Sequence, residues 1–410
     1  MSEADSQVLA ERPSHVPPSR VVMVDIYNLE GIEEGFQHAW KRVQKPDVPN
    51  LVWTPSNGGH WIATRGAWIR DVFRDPVHFS NAVIFVPKVA GEKQGTVPNR
   101  MDPPEHTPYR GVMDQSLGLR RVRAMESSVR KVATDLIDSL AAKRSCDFAD
   151  DFAGIFPIRV FMALADLPLE DAPRLRKLAR QMTHAEGETP AERAQSMEQA
   201  TQQFHDYISP LIDARRKSPG TDVISEFVNC QIDGKPIERD KAMGMITLLL
   251  LAGLDSVTSF LTMVMHHLGN HPEIQQALAD RPEAIQRSIE EFFRRFPLVA
   301  VARMISQDVE RDGVTLKSGE MIVLPTALHN LDERENDEPW ALRFDRTRIS
   351  HSTFGEGPHR CAGLHLARLE ATITLQEWFK RIPRFSVTTP TKITQHAGIV
   401  GIIEGVELTW

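Results

Sequence analysis

Cysteine is scarce: Cys146, Cys230 and Cys361 are the only three in 410 residues. They are too few and too widely spaced for a disulfide framework or a zinc knuckle, so a reducing, cytoplasmic setting is expected. Basic charge is short as well. Lys+Arg is 48 against Asp+Glu 55, for a net charge of −7, which argues against a general polyanion binder, and no nucleic-acid partner is expected. Long apolar runs are also missing: the longest, Met245 to Leu254, is broken by Thr247 and stopped by Asp255, far below the roughly 18 residues of a membrane span. The first twenty residues, MSEADSQVLAERPSHVPPSR, carry acids early and no apolar stretch, unlike a secretory signal or an anchor. No membrane association is expected.

The chain does carry a globular composition, with 41% hydrophobic, 25% charged and 7% aromatic residues. A compact chain of this length buries roughly three quarters of its unfolded surface and has room for a large interior ligand. Residues 1–20 read as a flexible arm and 21–410 as a single domain. Met125, Val129, Val132, Leu136 and Leu140 recur at helical spacing. Asp233-Gly234 reads as a turn, and a helix is predicted from Glu238 to Leu268, stopped by Gly269-Asn270 and Pro272. It would be roughly 45 Å long, and its first half is apolar nearly all round, as in a helix that passes through a core. A second helix is predicted over Pro282 to Phe296. Val314–Leu316 and Ile322–Leu324 read as a hairpin, and the end from Phe385 is β-like. The fold class is mainly α with a smaller β region.

Phe354-Gly-Glu-Gly-Pro-His-Arg-Cys361-Ala-Gly363 leads into a helical stretch. At a helix start, free N–H groups and the macrodipole lower a thiol's pKa and favour the metal-binding thiolate. Gly355, Gly357 and Gly363 permit turns closed to other residues and let a flat group approach the main chain. A small buried cysteine in a turn is the plainer alternative. Asp255 is a lone carboxylate in an apolar helix, costing several kcal/mol without a partner. Glu291 and Arg294 are spaced for a local ion pair.

The cysteine loop resembles the haem-binding signature of the cytochrome P-450 superfamily, the haem-thiolate monooxygenases. Glu291-Phe-Phe-Arg294 resembles its Glu-x-x-Arg pair, and Arg346 in Phe344-Asp-Arg matches the third member of that triad. Ala252-Gly-Leu-Asp255-Ser256 resembles the oxygen-activating stretch, and His106-x-x-x-Arg110 the propionate-binding helix start. Leu331–Asn336, Ser350–Phe354 and Ala397–Val400 look most like the soluble bacterial class of camphor hydroxylase.

The resemblance implies a single-domain fold with a long central helix over haem b, whose iron Cys361 ligates. It implies that Phe354, Gly355 and Gly363 lie against the haem and that His106, Arg110, Arg303 and His359 hold its propionates. Glu291, Arg294 and Arg346 would fix the cysteine loop. Asp255 would feed protons toward dioxygen and the Ser256 hydroxyl would assist, with Gly253 letting the helix open locally. Ser256 departs from the usual Thr, which frees its rotamer and implies looser coupling. Positions matching the substrate pocket are Phe85, Gln94, Leu248, Leu251, Val299, Ile399 and Val400. Gln94 stands where camphor hydroxylase has a Tyr, and Val301 where it has an acid, so a terpenoid or norisoprenoid such as an ionone is the expected substrate class. The chain has no flavin or Rossmann fingerprint, so electrons are expected from a 2Fe-2S ferredoxin with its NADH-dependent reductase, docking near Arg110, Arg348 and Arg360. O₂ is the co-substrate and a monomer is expected. A peroxide-driven peroxygenase and a non-catalytic haem-thiolate sensor are the rivals.

Overall fold

The computed structural model describes residues 9–88, 95–184, 187, 189–388 and 393–410. Gln94 lies outside the described residues. The helices that position the site are α1 (Gly66–Arg74), α2 (His106–Ser116), α3 (Glu126–Ala141), α4 (Phe156–Ala165), α5 (Ala172–Thr183), α6 (Pro190–Lys217), α7 (Arg239–Gly269), α8 (Pro282–Arg295) and α9 (Leu364–Arg381). The strands are β1 (Leu51–Thr54), β2 (His60–Ala63), β3 (Phe79–Ser80), β4 (Ala300–Ile305), β5 (Val309–Arg311), β6 (Val314–Leu316), β7 (Met321–Pro325), β8 (Thr394–His396) and β9 (Ile402–Glu404).

The five-stranded sheet runs β1-β2-β7-β4-β3, antiparallel except for the β2–β7 pair. All five residues of β7 are buried, as expected of a continuous apolar run inside a sheet. This overturns the expected pairing of Val314–Leu316 with Ile322–Leu324. Instead β6 turns back on β5, Val309 opposite Leu316, because Asp312 and Gly313 both take positive φ (51° and 73°) and close a tight hairpin. Lys317–Glu320 then carries the chain into the larger sheet. Within the expected arm, among residues 9–20, Val16 is fully buried and the Ala10 N–H donates to the Pro55 carbonyl at 2.8 Å.

Central helix α7 occupies almost the predicted range. Its richest 18 residues have a mean hydropathy of 1.8, so by length and composition it could cross a membrane, which the short Met245–Leu254 run did not suggest. The protein uses that surface internally. From Ala242 to Leu254 the helix belongs to one apolar cluster, with residues of α2, α5 and α6. From Val257 to Leu268 it belongs to another, with the sheet, α8 and α9. The handover falls at Asp255-Ser256, and Ala252 and Gly253 just before it are exposed in the middle of the helix.

Candidate active site

The cysteine loop is folded by its own backbone: the Cys361 N–H donates to the Phe354 carbonyl at 2.8 Å, and the Gly355 N–H to the Ser352 carbonyl at 2.8 Å. Gly357, at φ 68°, is required twice over, since a Cβ there would lie 2.5 Å from the Phe73 carbonyl oxygen of α1. Gly363 does not need glycine's freedom: its φ is −81°, and a Cβ would stand 3.8 Å from the Cys361 sulfur. The Cys361 side chain is accessible, yet burial is the largest influence on its thiol and pushes it up; the Gly363 N–H and then Arg110, Arg368 and Arg360 pull it back. The expected lowering by the helix start is therefore outweighed in the metal-free chain. A group that is both accessible and deep lines an internal void.

The facing wall is α7. A Cβ added to Gly253 would meet nothing within 4 Å. The helix runs unbroken through this glycine, so the expected local opening is not present. The Ser256 hydroxyl donates back to the Ala252 carbonyl at 2.9 Å. Asp255 is not a lone buried charge: its side chain is 30% exposed and His184 Nδ1 stands 3.5 Å away. A chain of aromatic rings links the two walls, Phe260 stacked on Phe293 at 4.1 Å and Phe293 tilted against Phe354 at 4.7 Å. Ala362 packs against the cluster built from α2, α5 and α6, and Phe354 belongs to the one built from the sheet, α8 and α9, so the slot beside Cys361 lies between them.

His106, Arg110, Arg303 and His359 converge at one edge of this slot. The His106 and His359 rings are 4.2 Å apart, and the Nε2 atoms of both are buried without a hydrogen-bond partner. Arg303 is buried, donates among the described residues only to the adjacent Ala302 carbonyl, and lies over the Phe73 ring. Burial pulls its guanidinium down to about 10. His359 is pushed down to about 2 by burial, with His106, Arg303 and Arg110 acting the same way. Arg110 donates to the Pro358 carbonyl at 3.1 Å and pairs with Asp114. Among the described residues no carboxylate is within ion-pair distance of Arg303 or either histidine, so this cradle fits a group that brings its own carboxylates, as haem does. Arg303→Met is accordingly expected to stabilise the haem-free protein by about 1–3 kcal/mol while speeding haem loss. Melting of the apoprotein and haem transfer to apomyoglobin check both signs, and a destabilised apoprotein would count against the reading.

Behind the loop, Arg294 is fully buried and grips Glu291 with two hydrogen bonds, at 2.7 and 2.8 Å. Arg346 Nε reaches the same carboxylate at 2.9 Å. Arg294 also donates to the carbonyls of Asn330, Pro339 and Ala341. Sequence reasoning missed the residues that carry this network onward. The Asn330 side chain donates to Thr353 Oγ1 at 2.7 Å and accepts from the Ser352 N–H at 2.9 Å. His329 contacts the hydroxyls of Ser352 and Ser350, and Arg70 clamps Glu335 through two bonds. Their one sequence signal was proximity to the Leu331–Asn336 and Ser350–Phe354 runs.

Some of the apolar candidates are brought together from distant segments, while Leu248 and Leu251 pack with the α2, α5 and α6 cluster. Val299 bridges Val400, the Ala300 N–H donates to the Ile399 carbonyl at 2.8 Å, and the Ala302 N–H to the Ile84 carbonyl, beside Phe85, at 2.9 Å. Phe85, Leu248, Leu251, Val299, Val301, Ile399 and Val400 are all half-buried. The three arginines do not form one set: Arg110 and Arg360 both act on Cys361, whereas Arg348 lies with Arg70 and Arg74 beside His329. Arg348 and Arg360 are exposed.

A deep thiol on one wall of a slot, a helix with an open glycine on the other and a cationic cradle at the edge define a haem-thiolate site. The chain belongs to the cytochrome P-450 family, whose model matches residues 188–281 and 282–399. It is 31% identical over 406 residues to a probable cytochrome P-450 127A1 of Sinorhizobium fredii, covering 97% of this chain and 96% of the relative. Among solved structures it is similar to CYP101J2 (38% identity, TM-score 0.91) and CYP101C1 (40%, TM-score 0.90), each over 98% of this chain and 100% of theirs. It is a haem-containing P-450 monooxygenase of the soluble bacterial class.

Proposed function

We propose that this monooxygenase hydroxylates a small hydrophobic molecule of the terpenoid or norisoprenoid class, ionone-like in size, using O₂ and electrons from a 2Fe-2S ferredoxin with its NADH-dependent reductase. The observation that supports the substrate class is that the described residues at the expected pocket positions, Phe85, Leu248, Leu251, Val299, Val301, Ile399 and Val400, are all apolar and all half-buried. Haem b, bound through its iron to a cysteine thiolate, supplies dioxygen activation. Cys361 would be its ligand, and Phe354, Gly355 and Gly363 would line the space for the ring. His106, Arg110, Arg303 and His359 take the propionates. Asp255 holds the proton that turnover consumes, the Ser256 hydroxyl turns from the Ala252 carbonyl to hydrogen-bond on the dioxygen side, and Gly253 leaves room there. Exposed Arg360, with Arg110 beside the cysteine loop, and Arg348 from a separate patch orient an acidic ferredoxin and raise its association rate. The protein works as a cytoplasmic monomer.

The reduced, CO-exposed protein is expected to show the red-shifted Soret band of a thiolate ligand. Titrating the ferric form with cyclic terpenoids is expected to give a low-to-high-spin shift with at least one ionone-sized member. A band at the wavelength of histidine-ligated haem would overturn the ligand assignment. Absence of any spin shift across the panel, with a correct CO band, would overturn the substrate class alone.

A further inference from the structure

We propose that His184 is the proton-entry residue of this enzyme, taking protons from solvent and passing them to Asp255. The proposal rests on the reading of Asp255 as the carboxylate that feeds protons toward dioxygen. His184 immediately follows α5, its N–H bonded to the Arg180 carbonyl at 2.7 Å. Its Nδ1 stands 3.5 Å from Asp255 Oδ2 across the gap to α7, with the histidine side chain 44% exposed and the aspartate 30%. The ring therefore reaches water more freely than the carboxylate does.

Three further charged or titratable groups face His184. From α5 comes Arg180, and from the β8–β9 hairpin come His396 and Glu404. Arg180 binds Glu404 at 3.1 Å and His396 lies 3.6 Å from the same carboxylate. Glu404 thus occupies the permanent cation. Among the described residues, Asp255 has as its ion-pair partner a group whose charge changes with pH. A lysine or arginine in that place would hold the carboxylate's charge and give up no proton near neutrality, whereas an imidazole can carry a proton and release it. Burial lowers the His184 pKa and Asp255 raises it, with a net lowering, which suits a donor that must let go.

The local geometry also places the proton. The Thr183 hydroxyl donates to the Ala179 carbonyl at 3.1 Å and so offers a lone pair to His184 Nδ1, 2.9 Å away. That favours hydrogen on Nδ1, held by Thr183 at rest and turned toward the Asp255 oxygen, 3.5 Å away, only for transfer. In the step, a proton leaves Nδ1 of the imidazolium and bonds to an Asp255 oxygen, across a slight approach of the two side chains or one bridging water. The neutral ring then regains a proton from bulk water. No electrons move, and the proton is one that the monooxygenase reaction already consumes.

The test compares His184→Gln, His184→Lys and Asp255→Asn with the parent holoenzyme, following substrate-driven NADH oxidation at saturating ferredoxin from pH 5.5 to 8.5. His184→Gln is expected to lose about 10-fold of turnover at the acid end and to flatten the profile, less than the roughly 10²–10⁴-fold of an acid that acts on the reacting group itself, because Asp255 remains in place. His184→Lys, a fixed cation, is not expected to restore it. Independently of activity, histidine-labelled NMR of the ferrous CO-bound protein is expected to show the His184 pKa falling in Asp255→Asn. A parent-like profile in His184→Gln, full recovery in His184→Lys, or an unmoved His184 pKa each overturns the proposal. If Asp255→Asn is slow while His184→Gln is parent-like, only His184's part fails. If Asp255→Asn itself turns over normally, the reading of Asp255 fails and this proposal with it.

Discussion

Glu291→Ala is expected to lose most of its haem and about 3–5 kcal/mol of stability, the usual cost of stranding a buried charge. Glu291 is 1% exposed and Arg294 is fully buried, and the carboxylate serves Arg294, Arg346 and the Arg343 N–H together. Alanine leaves two guanidinium groups facing each other with no anion between them. Arg294 would shift, and its bond to the Asn330 carbonyl would shift with it. Because Asn330 holds Ser352 and Thr353, the disturbance reaches Phe354 and the loop that presents Cys361. The haem-to-protein ratio and the thermal midpoint measure both effects. Arg346→Met guards against simple misfolding: it leaves the Glu291–Arg294 pair intact, so the chain should fold while haem occupancy falls. Stoichiometric haem and a parent-like midpoint in Glu291→Ala would show that the triad does not support the loop.

What could be read from the chain was local, and what could not was long-range. The limits of α7 and α8 followed from helix formers bounded by Gly, Asn and Pro, and the cysteine loop from glycines at fixed offsets. The β6–β7 pairing failed because strand partners are chosen by the whole sheet, and β4 offered β7 a longer buried neighbour than β6 could. Val16, in a polar and proline-rich segment, gave no sign that it would be buried. Asp255 looked unpartnered because His184 is 71 residues earlier in the chain, and no periodicity connects them. The cationic cradle was similarly invisible to spacing: its members come from α2, β4 and the cysteine loop, and only the family resemblance grouped them. Gly363 was misjudged because a glycine in a motif reads as a conformational need, whereas its backbone here is ordinary.

Acid is expected to unfold this protein well before its carboxylates titrate. Burial drives His60, His267 and His329 down to about 3, so each is neutral in the fold, while in the unfolded chain each protonates near 6.5. Below 6.5 the unfolded state binds more protons than the native one, so stability is full above that pH and falls progressively as pH drops toward 3. At pH 5 each histidine has cost about 2 kcal/mol, and three together approach the 5–15 kcal/mol that typical domains possess. Glu290 acts in a separate, lower window. Held down to about 2 by His351 and Arg368 against the opposing effect of burial, it supports the fold above the ordinary carboxylate range and loses that support only between about 4.5 and 2. Thermal midpoints measured from pH 8 to 5 should therefore fall steeply from about 6.5 downward, and His60→Gln should make that fall measurably shallower. Flat midpoints down to pH 5 would mean that these rings are already protonated or solvated in the fold. His329 ties this loss to function, since its ring contacts Ser350 and Ser352 beside the cysteine loop: protonating it removes the lone pair that one of those hydroxyls uses, and haem release should accompany the same acid transition.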